Sequence, residues 1–357
     1  MRAVVVENGK LTLTDELEVR APGPHEVKVR VQASGLCRSD LLLMEFPDPR
    51  PAVMGHEAAG VVEAVGAEVR GVEVGAQVAV TCQRPCLRCA DCARGRYSAC
   101  PTSMDDPDAP FSWHGRAVRS IARSSSLCTE IVVDELQVHP LDAVSPGAAA
   151  LIGCAVSTGY GMVGNVARLE VGESLAVFGV GGIGIKSIQA GRLLGASRVV
   201  AVDVNPAKAE LALRFGADCF VQVEPGESAE TLADTLATRM GGPVDAVVEG
   251  TGHAAMFTAA LASLNRGGRL ALVGIPTSAA PARFDLMDAM ARHITIVGAL
   301  NGACDPFVDM PNIVRLASQG RLDLESQVSH HFPIEEIDAA IAALRGGDTL
   351  RVVVDVA

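Results

Sequence analysis

The sequence predicts an α/β protein in which a doubly wound parallel sheet is accompanied by a second, mainly β domain. Its length points to two domains, because 357 residues exceed what one hydrophobic core usually organises. The pattern also changes along the chain: turn-separated strand signals fill the first 150 residues, and strands alternate with helices from about residue 156. Residues 301–357 return to a mixture of strand and helix.

The elements follow in order along the chain. Alternation of apolar and polar residues predicts a strand at 27–31, and the apolar-rich runs at 60–65 and 77–80 predict two more. In the part of the chain where strands alternate with helices, one helix is predicted at 182–194 and another begins at Pro206. Strands spaced by helices in this way form a parallel sheet covered on both faces. Its strands are predicted at 174–179, 198–203, 244–248, 268–273 and 294–297.

Composition and charge exclude several classes of protein. With 49% apolar residues the chain can bury enough surface to fold, which excludes intrinsic disorder. A total of 30 basic and 42 acidic residues gives a net charge of −12, which argues against nucleic acid or an anionic membrane as the main partner. No signal peptide is predicted, because Glu7 interrupts the apolar N-terminal run. We therefore expect a cytoplasmic protein whose ten cysteines are metal ligands or thiols.

One uncharged stretch, residues 143–167, is long enough to cross a membrane. It contains turn-forming residues at 145–147 and 157–159, and no cluster of Lys or Arg flanks it. A buried helix-and-turn segment of a soluble protein is therefore predicted there.

Four cysteines within fifteen residues carry the strongest local signal. The spacing Cys86-x2-Cys89-x2-Cys92-x7-Cys100 lets the sulfurs converge on one tetrahedral ion, with Gly95 as a flexible return for the fourth. Unligated cysteines in a loop are the alternative, and the spacing argues against it. Because all four positions are filled by thiols, the site is predicted to hold a structural Zn²⁺.

A glycine-rich loop, Gly179-Val-Gly181-Gly182-Ile183-Gly184, ends one predicted strand and opens a helix. Such a string could be only a turn, but Asp203 ends the next strand, 19 residues after the last glycine, as in dinucleotide-binding units. The glycines let the backbone approach a pyrophosphate at the helix N-terminus. The Asp203 carboxylate would bind adenosine ribose hydroxyls and repel a 2′-phosphate, which predicts NAD rather than NADP.

Three short motifs are dispersed along the chain, and spacing alone would not connect them. They are Cys37-Arg38-Ser39-Asp40, Gly55-His56-Glu57 and Gly153-Cys154. A lone cysteine or histidine is more often an ordinary buried residue. In this order, with the four-cysteine segment and the glycine loop, they make the chain resemble the zinc-dependent medium-chain alcohol dehydrogenases over essentially its whole length.

The resemblance implies a fold and its division along the chain. A GroES-like catalytic domain would comprise residues 1–155 and 301–357, with the structural-zinc lobe at 82–100. A Rossmann domain that binds NAD would comprise residues 156–300. Two zinc ions per chain are implied, one in the lobe and one at the catalytic site.

The resemblance also assigns the catalytic zinc to Cys37, His56 and Cys154, with water or substrate as the fourth ligand. This donor set with an open position is a known catalytic zinc pattern, in which the ion can lower the pKa of a bound alcohol. Asp40 would hydrogen-bond to the His56 ring on the side away from the metal. Glu57 would lie near the metal and bind it when water is displaced.

Further roles follow from the resemblance residue by residue. Ser39 matches the hydroxyl that takes the alcohol proton and passes it to the nicotinamide ribose. The other matched residues would bind parts of the cofactor: Arg38 and Arg351 the pyrophosphate, Lys208 the adenosine ribose, and Thr158 and Ile275 the nicotinamide. The alternatives are that the two arginines are solvated, that the lysine is exposed, and that Thr158 and Ile275 pack in the core.

The chain departs from the family at two positions. Leu42 stands where several animal-type members carry a histidine that completes the proton relay, so the relay beyond Ser39 lacks an identified base. Cys82 stands where many members place an aromatic residue of the substrate pocket, which predicts a wider pocket. The three remaining cysteines are expected to be small buried hydrophobic residues: Cys128, Cys219 and Cys304.

The resulting prediction is an NAD-dependent zinc alcohol dehydrogenase that interconverts a small-molecule alcohol and an aldehyde or ketone. The long segment between Cys100 and Cys154 resembles the dimeric animal-type, class III-like branch, so a homodimer is expected. One alternative reduces activated C=C or C=N bonds on the same fold, and another oxidises thiol adducts of aldehydes. A non-catalytic zinc- or dinucleotide-binding protein is the remaining alternative.

Overall fold

The computed structural model of the protein describes residues 1–45, 48–104, 106, 108–276, 281–347 and 349–356. These residues fall into two compact units. The first comprises Met1–Ala155 and Asp305–Ala357, and the second comprises Val156–Cys304.

The first unit is mainly β. One of its sheets has the strand order β2-β1-β5-β9-β8-β3, and another has the order β11-β7-β6-β4-β19-β18 with β10 paired to β4. Its helices are α1 (Arg38–Glu45), α2 (Pro146–Ala150), α9 (Asp309–Ser318) and α10 (Ile337–Gly346). Its strands are β1 (Ala3–Glu7), β2 (Lys10–Thr14), β3 (Leu17–Val19), β4 (Glu26–Leu36), β5 (Ala52–Val53), β6 (Glu57–Val65), β7 (Gln77–Val80), β8 (Phe111–Trp113), β9 (Arg116–Ser120), β10 (Glu130–Asp134), β11 (Val138–Pro140), β18 (His330–Pro333) and β19 (Val352–Asp355).

Strand β4 organises the first unit. It pairs antiparallel with β6, β10 and β19, so it joins segments from both ends of the chain. Its alternating residues Val27, Val29 and Val31 are fully buried in the core, as the alternation over 27–31 predicts. The carboxyl end of β4 leads directly into α1 and the Cys37 motif.

The second unit is a parallel sheet with helices between its strands. The strands lie in the order β14-β13-β12-β15-β16-β17, and every neighbouring pair is parallel. This order confirms the doubly wound sheet, in which ligands bind beyond the carboxyl ends of the strands where the chain reverses direction. Its strands are β12 (Ser174–Phe178), β13 (Arg198–Asp203), β14 (Cys219–Gln222), β15 (Val244–Glu249), β16 (Leu264–Leu272) and β17 (Thr295–Gly298). Its helices are α4 (Gly182–Leu193), α5 (Ala209–Arg214), α6 (Ala229–Arg239), α7 (Ala254–Ala262) and α8 (Leu286–Ala291).

Helix α3 (Ala155–Gly161) and a π-helical stretch (Met162–Val166) follow the first part of the chain. In the part of the chain that the structure describes, no single helix is long and apolar enough to cross a membrane. The two helical segments Pro146–Gly153 and Ala155–Val166 are together long and apolar enough, but their axes are bent by 51° at the break between them. Most residues of this pair are buried.

A buried histidine makes the stability of the first unit depend on pH. His139 lies in β11 opposite Ala79 and is 9% exposed, and its Nε2 atom has no hydrogen-bond partner among the described residues. Burial lowers the pKa of His139 from 6.5 to about 4. Between these two values the unfolded chain binds a proton that the folded chain does not. The full stability is therefore present above pH 6.5 and declines as the pH falls toward 4.

We expect acidification from pH 7.5 to 5.0 to destabilise the wild type by about 2 kcal/mol more than a His139→Leu variant, because each pH unit below 6.5 costs about 1.4 kcal/mol. Calorimetric melting of both proteins at both pH values measures this difference. A His25→Leu variant is the control, since His25 is exposed and should leave the pH response unchanged. Equal responses of the wild type and His139→Leu would contradict the prediction.

Candidate active site

Four potential metal ligands of the first unit meet at one point. The ligand atoms of Cys37, His56, Glu57 and Cys154 all lie within 4.8 Å of one another. Cys37 follows β4, His56 precedes β6, and Cys154 follows a 3-10 turn after α2. Strands β4 and β6 are antiparallel neighbours with Gly35 opposite Glu57, so sheet pairing brings the first two segments together. The structure thus places the three proposed zinc ligands beside a carboxylate.

Asp40 holds two of these ligands in place. Its Oδ2 atom accepts a hydrogen bond from the Cys37 backbone N–H at 2.9 Å, and its Oδ1 atom lies 3.0 Å from Nδ1 of His56. The carboxylate is buried. Because Nδ1 is held by Asp40, Nε2 is the nitrogen left to coordinate a metal ion. Ser39 lies on that side of the ring, with its Oγ atom 3.2 Å from Nε2.

Glu57 is wholly buried and forms an ion pair with Arg351, which is 294 residues away in the sequence. Gly35 provides the space for this pair, since a Cβ at that position would lie 2.2 Å from Oε2 of Glu57. Ser126 accepts the Glu57 backbone N–H at 3.1 Å. Oε1 of Glu57 has no hydrogen-bond partner within the described ranges, so this oxygen is available to an ion.

The electrostatics of the cluster suit Zn²⁺. A hydrogen bond from the Cys154 thiol lowers the pKa of Cys37, and the same contact raises the pKa of Cys154. Burial opposes a charge on His56, but Asp40 raises its pKa above the usual value. Cys37 is therefore the thiol that loses its proton more readily. A bound ion would displace the protons from Cys154 and His56. Two thiols, an imidazole and an adjacent carboxylate fit a catalytic zinc.

Cys82 lies against this cluster. Its side chain is 0% exposed and its thiol contacts that of Cys154. Its backbone N–H lies 3.5 Å from the Gly153 carbonyl oxygen, which holds the end of β7 beside the last ligand. The contribution of Cys82 to a substrate pocket stays a prediction.

The four cysteines of the lobe also converge. The sulfur atoms of Cys86, Cys89, Cys92 and Cys100 lie within 4.8 Å of one another, and Gly95 adopts φ 72° in the left-handed return between them. The backbone N–H groups of Cys86 and Cys92 lie 3.4 Å from the sulfurs of Cys100 and Cys89. Backbone hydrogen bonds lower the pKa of Cys86 to about 6, and the bond from the Arg88 N–H is the largest of these effects. None of the ten cysteines, all of them in the described ranges, forms a disulfide.

The glycine loop connects the carboxyl end of β12 to α4. Gly179 has φ 91°, and a Cβ on Gly184 would lie 1.9 Å from the Gly179 carbonyl oxygen, so the turn requires glycine at both positions. Gly181 has open space around it and precedes α4 without a side-chain cap. The N–H groups at this helix end can therefore bind a pyrophosphate.

Asp203 ends β13 beside this loop. Its Oδ2 atom accepts the Val180 N–H at 2.6 Å, and its Oδ1 atom accepts the Asn205 N–H at 2.9 Å. Because β12 and β13 are parallel neighbours, the carboxylate and the loop share the carboxyl edge of the sheet. This arrangement fits a dinucleotide with its pyrophosphate at α4 and its ribose at Asp203.

The other residues matched to the cofactor differ in exposure, and their contacts with NAD stay predictions. In the first unit, Arg38 is exposed at the start of α1, whereas Arg351 is buried against Glu57. In the second unit, Thr158 is buried in α3, Ile183 is half-buried in α4, Lys208 is half-buried in a 3-10 turn, and Ile275 is 43% exposed.

Gly35 and Ser126 shape the metal cluster, and the motifs do not include them. A glycine inside a strand marks a close approach of another group, and this signal could have identified Gly35 two residues before Cys37. Ser126 acts through a backbone hydrogen bond to a strand 69 residues away, which no local pattern reveals.

Known sequences resemble the chain over nearly its full length. Residues 182–319 match the family described as zinc-binding dehydrogenase, and residues 23–143 match the alcohol dehydrogenase GroES-like domain. Putative alcohol dehydrogenase D of Mycobacterium tuberculosis is 33% identical, covering 99% of this chain and 98% of the relative. Alcohol dehydrogenase 2 of Zea mays is 30% identical, covering 98% and 95%.

Solved structures agree with the sequences. An alcohol dehydrogenase zinc-binding domain protein from Burkholderia ambifaria has a TM-score of 0.90 at 31% identity, covering 100% of this chain and 98% of that one. Benzyl alcohol dehydrogenase from Acinetobacter calcoaceticus has a TM-score of 0.88 at 27% identity, covering 100% and 99%. Fold and site together define a zinc-containing dehydrogenase. The chain belongs to the zinc-dependent medium-chain alcohol dehydrogenase family and is an oxidoreductase.

Proposed function

We propose that the protein interconverts an alcohol and an aldehyde or ketone with NAD as the hydride carrier. The observation that carries this proposal is the convergence of Cys37, His56 and Cys154, with Asp40 fixing the imidazole. Membership of a family of alcohol dehydrogenases supports the same chemistry. The complete ligand set, with Ser39 beside it, argues against a C=C or C=N reductase in which zinc is a spectator.

Cys37, His56 and Cys154 would hold the zinc, with Glu57 next to it. When bound, zinc supplies a Lewis acid that lowers the pKa of an alcohol. Asp40 keeps Nε2 of His56 directed toward the ion, because it holds the opposite nitrogen. The Arg351 guanidinium compensates the Glu57 carboxylate, so the buried site carries no unpaired acid.

Ser39 is the proposed acceptor of the alcohol proton. It lies in the first turn of α1, and its hydroxyl is 3.2 Å from the metal-facing nitrogen of His56. A hydroxyl can accept one proton while it donates its own. Leu42, about one turn further along the helix, offers no acid or base. Ser39 would therefore pass the proton to the nicotinamide ribose and not to residue 42.

The second unit would bind the cofactor. The loop Gly179–Gly184 would receive the pyrophosphate, and Asp203 would favour NAD by accepting hydrogen bonds from the ribose hydroxyls. When bound, NAD accepts or donates the hydride. Similarity to the solved structure of an NAD-dependent alcohol dehydrogenase, at 26% identity and a TM-score of 0.82, supports this choice.

The wild-type protein provides the direct test. Elemental analysis is expected to find two zinc ions per chain, and a panel of primary, secondary, benzylic and terpenoid alcohols should include substrates that reduce NAD⁺. The value of kcat/KM for NAD⁺ should exceed that for NADP⁺ by at least about a hundredfold, because like-charge repulsion costs several kcal/mol. A single zinc ion per chain, or no NAD⁺ reduction with any alcohol, would sink the proposal.

Replacing Ser39 with alanine should lower kcat for alcohol oxidation by about 10² to 10⁴-fold, the usual contribution of a positioned proton-transfer group. Zinc content should stay at the wild-type value, since Ser39 is not a zinc ligand. The Kd for NADH should change by less than about tenfold, the contribution of one hydrogen bond to the nicotinamide ribose. Ser39→Thr keeps a hydroxyl and should retain most of the activity. Steady-state kinetics of the three proteins measure this, and unchanged turnover in Ser39→Ala would remove Ser39 from the proton path.

We further propose a cytoplasmic homodimer of the animal-type, class III-like branch. The long segment between Cys100 and Cys154 supports the branch, and the need for six thiols as metal ligands supports a reducing compartment. The dimer is supported by β17, which lies at an edge of its sheet and can pair with its own copy about a two-fold axis. Apolar side chains in the adjoining segments are largely exposed: Leu286 (70%), Met287 (69%), Met290 (70%) and Leu300 (65%).

A Leu300→Asp substitution should convert the dimer to a monomer, because it places a charge where the proposed interface buries an apolar side chain. Light scattering coupled to size-exclusion chromatography measures the mass. The matched control is Val171→Asp, since Val171 is an 86% exposed apolar residue of the same unit that precedes β12, a strand separated from β17 by β15 and β16. The proposed interface is wrong if Leu300→Asp remains dimeric or if both variants dissociate alike.

A further inference from the structure

Glu249 is a buried carboxylate at the carboxyl edge of the parallel sheet in the second unit. It is the last residue of β15 and is 3% exposed. Strand β15 pairs with β12, with Glu249 opposite Phe178, the residue that precedes the glycine loop. The strands β12 and β15 are the neighbours between which the chain reverses direction. Glu249 therefore lies beside the phosphate-binding loop.

The side chain of Glu249 fixes the turn formed by residues 250–252. Its Oε1 atom accepts the Thr251 N–H at 2.8 Å and the Gly252 N–H at 3.2 Å, and it also accepts the Thr251 hydroxyl. Its Oε2 atom lies 3.2 Å from the same Gly252 nitrogen. The Thr251 hydroxyl oxygen in turn accepts the His253 N–H at 3.1 Å, just before α7. One carboxylate thus orders the whole connection from β15 to α7.

The backbone of Glu249 fixes a second segment. Its carbonyl oxygen accepts the N–H groups of Val273 at 3.0 Å and Gly274 at 2.9 Å. The turn lies tightly against this segment, because a Cβ on Gly274 would be 2.2 Å from the Gly252 nitrogen. A Cβ on Gly252 would likewise be 2.2 Å from the carbonyl oxygen of Ile275. The position of Ile275 therefore depends on the turn that the Glu249 side chain orders.

The same turn contacts the glycine loop. The Gly250 N–H donates to the Phe178 carbonyl oxygen at 2.9 Å. A Cβ on Gly179 would lie 3.1 Å from a methyl carbon of Thr251 and 3.3 Å from the Gly250 carbonyl carbon. The turn thus occupies the space between the phosphate loop and the segment that carries Ile275, and a shift of the turn displaces both.

We propose that Glu249 is a positioning residue for the dinucleotide. Through the turn 250–252, it fixes the positions of the phosphate loop and of Ile275 relative to each other. This inference rests on the proposed function, since it requires that the second unit bind NAD. Without the carboxylate, the N–H groups of Thr251 and Gly252 lose their acceptor and the turn relaxes. A ligand that spans the phosphate loop and the Ile275 segment then loses affinity, whereas one that reaches only the adenosine side does not.

The experiment compares NADH with adenosine, which lacks a phosphate, on the full-length enzyme. In Glu249→Ala we expect the Kd for NADH, measured by titration calorimetry, to rise by about tenfold or more, as small misplacements of binding groups typically cost. The Kd for adenosine should change by less than about threefold. In kinetics the loss should fall mainly on KM for NAD⁺. Glu249→Gln keeps one acceptor oxygen and should recover part of the NADH affinity.

Asp245→Ala is the matched control, because Asp245 lies near the opposite end of β15 and accepts the Ser174 N–H at 2.8 Å. It should lower the melting temperature and leave the ratio of the two Kd values unchanged. If the wild type fails to bind NADH, the proposed function itself fails. If the wild type binds NADH but Glu249→Ala binds it equally well, or binds NADH and adenosine more weakly by the same factor, the positioning role is overturned.

Discussion

Replacing His56 with alanine will lower the zinc content from two ions per chain to one and reduce alcohol oxidation by at least about a thousandfold. Cys37 and Cys154 remain in this variant, but two thiols leave the ion short of the three protein ligands that a catalytic site needs. The lobe should keep its ion, because none of its four cysteines is changed. Elemental analysis together with kcat/KM for the best alcohol measures both effects.

Two further variants calibrate this result. His331→Ala removes a half-exposed histidine of the same unit, whose Nδ1 atom bonds to Asp355, and should keep both ions and full activity. Asp40→Ala should give an intermediate result, because loss of a group that orients a ligand typically costs about 10 to 100-fold in metal affinity. Two zinc ions per chain in His56→Ala, with activity within tenfold of the wild type, would contradict the assignment of His56.

The sequence predicts local parts of the site well because their geometry is encoded within one turn or loop. The glycines from Gly179 to Gly184 must meet a sharp turn and a helix start, and each requirement acts over a few residues. The four cysteines of the lobe lie within fifteen residues, so one local segment supplies all four sulfurs of the cluster. The parallel sheet follows from the alternation of strands and helices, and its observed strand order agrees.

The metal cluster of the first unit could be predicted only from the family resemblance, because its ligands lie in three distant segments. Pairing of β4 with β6 brings Cys37 and His56 together. Cys154 joins them because the backbone at Gly153 approaches β7 so closely that a Cβ would lie 2.2 Å from the Val80 carbonyl oxygen. No spacing rule expresses such strand pairing and close approach. The same holds for the contacts of Glu57 and Glu249, which depend on backbone groups far away or on turn geometry.

The largest expected loss of stability comes from Arg351→Ala, which should destabilise the first unit by about 3–5 kcal/mol. The side chains of Glu57 and Arg351 are only 0% and 6% exposed, so the ion pair is cut off from water. Burial alone would lower the pKa of Arg351, but the Glu57 carboxylate more than offsets this and the guanidinium stays charged. Removing it leaves a buried carboxylate whose desolvation is no longer compensated.

At about 3 °C for each kcal/mol, typical of a unit of this size, the melting temperature of the first unit should fall by about 9–15 °C in Arg351→Ala. Arg345→Ala removes an exposed arginine at the end of α10 and should change it by less than about 2 °C. The double variant Glu57→Gln/Arg351→Met removes both charges at similar volume and should recover most of the loss. A double variant as unstable as Arg351→Ala would assign the loss to packing, and the charge argument would then be wrong.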